Sequence, residues 1–106
     1  MPITYPQKEV KLVGVTYENR QNLIVKLNSN SKVWLELEPT NKVDPNAIVS
    51  KTILNDQIYS IGYIAKNQTS GWYPLLNNSK LYANEILIIG GQISAGTTLL
   101  GIVLKF

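Results

Sequence analysis

Apolar and polar residues change rhythm several times along the chain, and each change marks an element. From Val10 to Tyr17, Val10, Leu12 and (loosely) Gly14 share one face while Lys11, Val13 and Val15 share the other. That pattern predicts a strand buried on much of both faces. Residues 1–9 before it carry Pro2 and Pro6 and show no clear period. They read as an irregular lead-in or an edge strand, where proline is tolerated. Asn19 to Asn28 fits two periods. Leu23, Ile24 and Leu27 form a helical stripe, whereas Leu23, Val25 and Leu27 alternate as in a strand. Asn19 as a cap and Asn28-Ser29-Asn30 as a stop favour a short helix.

The later segments are mainly of period two. Val33, Leu35 and Leu37 alternate with Trp34, Glu36 and Glu38, giving one apolar and one mostly polar face. Pro39 ends that strand because it has no N–H to donate. Thr40 to Asn46 is dense in turn formers. Ala47 to Leu54 and Gln57 to Ile64 read as two strands joined by a hairpin turn at Asn55-Asp56. Ala65 to Asn78 predicts a short or kinked helix, with Asn67 as a cap and Gly71 and Pro74 as interruptions. Leu81 to Ile89 and Leu99 to Phe106 read as closing strands, with bends at Gly90-Gly91 and Ala95-Gly96. The expectation is a mainly β fold: about six short strands and one or two short helices in a small closed or nearly closed barrel.

Composition narrows the chemistry. The 106 residues suit one domain, and 44% apolar content is adequate for its core. Charged residues are only 16%, against a usual ~25%, with a net charge of +3. The sequence has no Cys and no His. Disulfides, thiolate zinc sites, cysteine nucleophiles and imidazole-based triads are therefore excluded. No catalytic residues, cofactor or metal are expected. The N-terminal residues lack an apolar signal core, and the apolar stretch near Leu99–Leu104 is too short to span a bilayer. A cytoplasmic location is the expectation.

Few motifs remain. Glu36 and Glu38 share a strand face and Asp44 follows across a turn, a set that can in principle hold a metal or act as acid and base. A solvated strand face with an Asx turn at Asp44 explains the same residues more simply. Ser50-Lys51 and Ser79-Lys80 are adjacent pairs that point to opposite strand faces, so neither makes a Ser-Lys nucleophile. Gly90-Gly91 and Gly96 match no phosphate loop. Arg20 lies three residues after Tyr17, Lys42 sits beside the Asp44 turn, and Tyr63 and Lys66 flank a strand-to-helix junction. Aromatic faces beside cations suit single-stranded nucleic acid, and a helix N-terminus near Lys66 suits phosphate. Core or rim tyrosines account for the same pattern.

Three blocks then form an ordered series. They are Val13-Gly14-Val15-Thr16-Tyr17-Glu18-Asn19-Arg20-Gln21, Leu35-Glu36-Leu37-Glu38-Pro39-Thr40-Asn41-Lys42-Val43-Asp44-Pro45-Asn46-Ala47-Ile48, and Ile61-Gly62-Tyr63-Ile64-Ala65-Lys66. The series resembles the HIRAN domain family over roughly residues 10 to 105, and looks like a stand-alone bacterial or phage-type member. The Glu-Pro-x-Asn-x-x-Asp-x-Asn-Ala-Ile stretch is its most specific part. The resemblance implies a modified OB-like or SH3-like β-barrel over residues 10–106. It also implies a DNA-binding module for single-stranded 3′-hydroxyl ends, serving DNA repair or replication-fork processing beside a helicase or nuclease partner.

Carried over by position, Tyr17 matches a stacking tyrosine, Asp44 the acceptor for the terminal hydroxyl, and Lys66 a phosphate-contacting lysine. Tyr63 takes a polar-aromatic place on the pocket rim. Two positions depart from the family. Thr16 stands where DNA-binding members have arginine, and Val43 where they have a second tyrosine. Each lost stacking partner is worth ~1–3 kcal/mol. Arg20 and Lys42 are candidates to restore charge. Glu38-Pro39 and Asn46-Ala47-Ile48 are assigned to the fold. A protein–protein adaptor with a decayed DNA pocket is the alternative, and a metal-dependent nuclease using Glu36, Glu38 and Asp44 is disfavoured.

Overall fold

Most predicted strands form, and they are shared between two antiparallel sheets. The computed structural model describes residues 5–16, 20–77, 79–94 and 97–106, with the backbone alone for 91–94 and 97–99. The strands are β1 (Glu9–Lys11), β2 (Val33–Leu37), β3 (Ile48–Leu54), β4 (Gln57–Tyr63), β5 (Leu81–Tyr82), β6 (Glu85–Ser94) and β7 (Thr97–Lys105). Two short helices, α1 (Arg20–Ile24) and α2 (Tyr73–Leu76), and a 3₁₀ turn at Lys66–Gln68 complete the described elements. One sheet has the order β1-β7-β6 and the other β4-β3-β2-β5. Seven strands replace the expected six or so, because Leu81 to Ile89 is not one strand. The chain changes partner at Ala83-Asn84: the Ala83 N–H bonds the Val33 carbonyl and the Asn84 N–H bonds the Lys105 carbonyl.

The same exchange occurs near the N-terminus. The Leu12 N–H bonds the Ile102 carbonyl of β7, and the next residue, Val13, pairs in both directions with Tyr63 of β4. The predicted strand from Val10 to Tyr17 is thus β1 plus one isolated bridge. It stops at Gly14, whose φ of 69° lies in the left-handed region where a side chain is unfavourable. Gly62, beside Tyr63, is needed for another reason. A Cβ there would lie 3.0 Å from the Val13 carbonyl oxygen and 3.1 Å from Leu12 Cβ. These two corners connect the sheets, but no closed hydrogen-bonded barrel forms among the described residues. The expected closure is therefore corrected to two sheets that exchange strands.

Val33 and Leu35 of β2, Ile48 of β3, Ile61 of β4, and Ile102 and Leu104 of β7 are buried between the sheets. Trp72 belongs to this core, its ring tilted 54° against that of Phe106 at 4.9 Å between centres. Helix α1 forms within the expected segment but ends at Ile24, which is buried; Leu27 is also buried and lies beyond the helix. The predicted cap, Asn19, lies outside the described residues. Gln21 fastens α1 to β7: its Nε2 donates to the Leu100 carbonyl, and its Oε1 accepts the Leu100 N–H. Pro74 lies in the first turn of α2, where its missing N–H costs no helix bond. Asn67 is not a cap. It lies inside the 3₁₀ turn, and the cap position, Ala65, makes no side-chain bond. Gly90 and Gly91 are not a bend either, since they continue β6 opposite Leu100 and Leu99. The Ala95-Gly96 bend lies outside the described residues.

The Asn55-Asp56 turn between β3 and β4 is as expected, with φ of 51° and 65°. Both positive values mark the mirror-image turn whose twist matches a hairpin. Asp56 is tolerated there, but glycine at that second position carries no Cβ penalty. Asp56→Gly is expected to stabilise the protein by about 0.5–1 kcal/mol, read as a higher urea midpoint with unchanged slope.

Candidate functional site

The chain before β3 builds a loop from its own side chains. The Asn41 N–H bonds the Glu38 carbonyl, and the Glu38 N–H bonds the Ala47 carbonyl. Asn41 Oδ1 accepts the N–H groups of Val43 and Asp44, each at 2.9 Å. Asp44 Oδ1 accepts the Asn46 N–H at 2.9 Å. The Asx turn expected at Asp44 is therefore present, and its second carboxylate oxygen has no partner among the described residues. Beneath the loop, the Glu38 carboxylate accepts from Asn41 Nδ2 at 2.8 Å and from the Tyr63 hydroxyl at 2.7 Å.

Tyr63 comes from the end of β4, and α1 supplies its second neighbour. The Arg20 guanidinium carbon lies 5.2 Å from the Tyr63 ring centre, a cation–π contact. Its Nη1 donates to the Gly14 carbonyl at 2.6 Å. Arg20 is only 6% exposed, and its Nε has no partner among the described residues. Its side chain holds the Gly14 turn and backs the tyrosine; it is not a free surface cation. Burial, followed by the hydrogen bond and charge of Glu38, raises the Tyr63 phenol above its ordinary value, while Arg20 opposes the rise.

These groups enclose an open cleft of about 600 Å³. Asn41, Val43 and Asp44 line it from the loop, Tyr63 from β4, Arg20 from α1, and Gly14 from the turn after Val13. Lys66, from the 3₁₀ turn, and Thr69, just after it, also line the cleft. Five residues singled out in the sequence, Arg20, Val43, Asp44, Tyr63 and Lys66, thus line one cleft. Tyr17 lies outside the described residues. Thr16 is exposed in the turn after Gly14 and Lys42 is exposed beside Val43; neither is a lining residue. The helix N-terminus expected near Lys66 is a turn over Lys66–Gln68, too short to carry an appreciable dipole. The carboxylates do not assemble. Glu36 accepts from Trp34 Nε1 at 2.9 Å and pairs with Lys51 at 3.4 Å, while Glu38 serves Tyr63 and Asn41. No group of three metal-ligating side chains occurs among the described residues.

Sequence reasoning did not assign Asn41 or Glu38 to the site. Both stand in the most specific stretch, and the signal was their Glu-Pro-x-Asn spacing, which closes a loop on itself.

The chain is thus a two-sheet β module with an open cleft lined by its loop, β4, α1 and the 3₁₀ turn. The model of the HIRAN domain family matches residues 7–101, so the chain belongs to that family. HIRAN domains are DNA-binding modules for single-stranded DNA. No curated protein and no solved structure matches the chain.

The raised phenol makes a pH prediction. In the folded protein Tyr63 holds its proton above the ordinary value of 10. Its contribution is fully present below pH ~10, and stability falls as pH rises from there through the folded value. Tyr63→Phe is expected to flatten that part of the alkaline stability profile. Near neutral pH it is expected to cost about 1 kcal/mol, for a partly exposed bond to a carboxylate. Urea unfolding across the alkaline range checks both.

Proposed function

We propose that the protein is a non-catalytic module that captures single-stranded DNA by its 3′-hydroxyl end in the Asp44–Tyr63–Lys66 cleft. The convergence of these three side chains, from the loop, β4 and the 3₁₀ turn, carries the reading. The Asp44 oxygen left over from the Asx turn accepts from the terminal hydroxyl. The exposed Lys66 ammonium pairs with a phosphate. The Tyr63 ring, held by Glu38 and Arg20, gives the sugar and base a firm apolar surface. Val43, 95% exposed, offers a base apolar contact in place of an aromatic clamp. Single-strand capture of this kind serves DNA repair or replication-fork processing beside a helicase or nuclease. No candidate helix is long and apolar enough to cross a membrane among the described residues. A cytoplasmic setting is part of the proposal.

A second reading rests on that same Val43, because an exposed valine on a loop rim also suits contact with a partner protein. Fluorescence anisotropy with short strands ending in 3′-hydroxyl or 3′-phosphate separates the two. A phosphate set against the Asp44 carboxylate is repelled, so a preference of at least about tenfold for the hydroxyl end is expected. Asp44→Asn keeps an acceptor for the Asn46 N–H and removes the charge; it is expected to erase most of that preference. The salt dependence is expected to be shallow, about −0.7 in log–log slope for each phosphate engaged. Equal binding of both ends would refute the role of Asp44. Absence of binding at ~100 mM salt would favour the adaptor.

A further inference from the structure

We infer that Glu38 is the positioning residue of the cleft: its carboxylate sets the place of the Asp44 loop through Asn41 and the place of the Tyr63 ring through its hydroxyl. This deepens the DNA-end reading and rests on it only for the ligand. Glu38 Oε1 receives both Asn41 Nδ2 and the Tyr63 hydroxyl, at 2.8 and 2.7 Å. One oxygen therefore joins the loop and β4, which both line the cleft. The connection continues outward. Asn41, held by its amide nitrogen, turns its Oδ1 to the N–H groups of Val43 and Asp44. Those two residues form the rim against which a ligand rests. Glu38 itself is not a lining residue of the cleft, so its effect reaches a ligand only through others.

The backbone gives Glu38 a fixed base. It follows β2, its N–H bonds the Ala47 carbonyl, and its carbonyl accepts the Asn41 N–H. Pro39 comes next, with a locked φ and no N–H to compete for the carboxylate. An ionised acceptor at this place bonds both donors more strongly than a neutral one. Neutral glutamine still supplies an oxygen in the same position. Gln is therefore expected to replace Glu in large part, and Ala is not.

The test compares wild type, Glu38→Ala and Glu38→Gln by amide hydrogen exchange at Val43 and Asp44, and by the ratio of affinities for 3′-hydroxyl and 3′-phosphate strands. Glu38→Ala is expected to speed exchange at both amides about tenfold and to reduce the end preference severalfold. Glu38→Gln is expected to stay within about threefold of wild type on both measures. If Glu38→Ala does not fold, Asn41→Ala, which removes only the loop side of the connection, is expected to lose the end preference with the β4 amides unchanged. Unchanged exchange in Glu38→Ala, or equal loss in the Gln and Ala variants, would overturn the inference. If exchange follows the expected pattern but wild type shows no end preference, Glu38 keeps its positioning role and the DNA-end reading fails.

Discussion

The cleft depends on one backbone pairing, the two hydrogen bonds that Val13 and Tyr63 exchange at 2.8 and 2.9 Å. One residue earlier, Leu12 is still bonded to β7. The chain thus passes from one sheet to the other in a single step, and the cleft opens at that step. The close approach requires Gly62, because any side chain there would press on the Val13 carbonyl. It also requires Gly14, whose left-handed φ turns the chain away at once. Arg20 then recaptures the Gly14 carbonyl. Tyr63 is thereby held by its backbone to Val13, by its ring to Arg20 and by its hydroxyl to Glu38.

Electrostatics of the site are local, as suits a chain with a net charge of only +3. Arg20 is enclosed and bonded to backbone and ring, so most of its charge is spent on the protein itself. Lys66 is an exposed cation among the described residues that line the cleft. Glu38 faces hydroxyl and amide donors and does not face the ligand space. Asp44 keeps one oxygen for its own turn and has one to spare. Such an arrangement favours orientation of a ligand end over general attraction to a polyanion.

The sequence made the regular elements legible where a period of two ran clearly, as in Val33 to Glu38; Gln57 to Ile64 was legible as a strand, but not the irregularity at Ile61. Helix α1 was legible through Leu23, Ile24 and Leu27 despite the competing strand pattern. Strand exchange was not legible. Leu81 to Ile89 is apolar at both ends of Asn84-Glu85, and the residue types do not record which sheet pairs with each half. Gly90-Gly91 misled for a related reason: glycine signals a bend in isolation, yet long pairing with β7 carries the strand through it. For the site, residue types and spacing brought Asp44, Tyr63 and Lys66 forward. The burial of Arg20 was hidden, since an arginine near a tyrosine reads the same whether it faces solvent or the interior. Glu38 and Asn41 were visible as a motif but not as a connection between the loop and β4, because that depends on Tyr63, 25 residues away.

Chemical-shift mapping on the labelled protein shows directly whether a strand end enters the cleft. On addition of a short single strand with a free 3′-hydroxyl, the shifted amides are expected to cluster at Gly14, Val43, Asp44 and Tyr63 through Thr69, with β6 and β7 undisturbed. Shifts centred on β6 and β7, or no shifts at saturating strand, would contradict binding there.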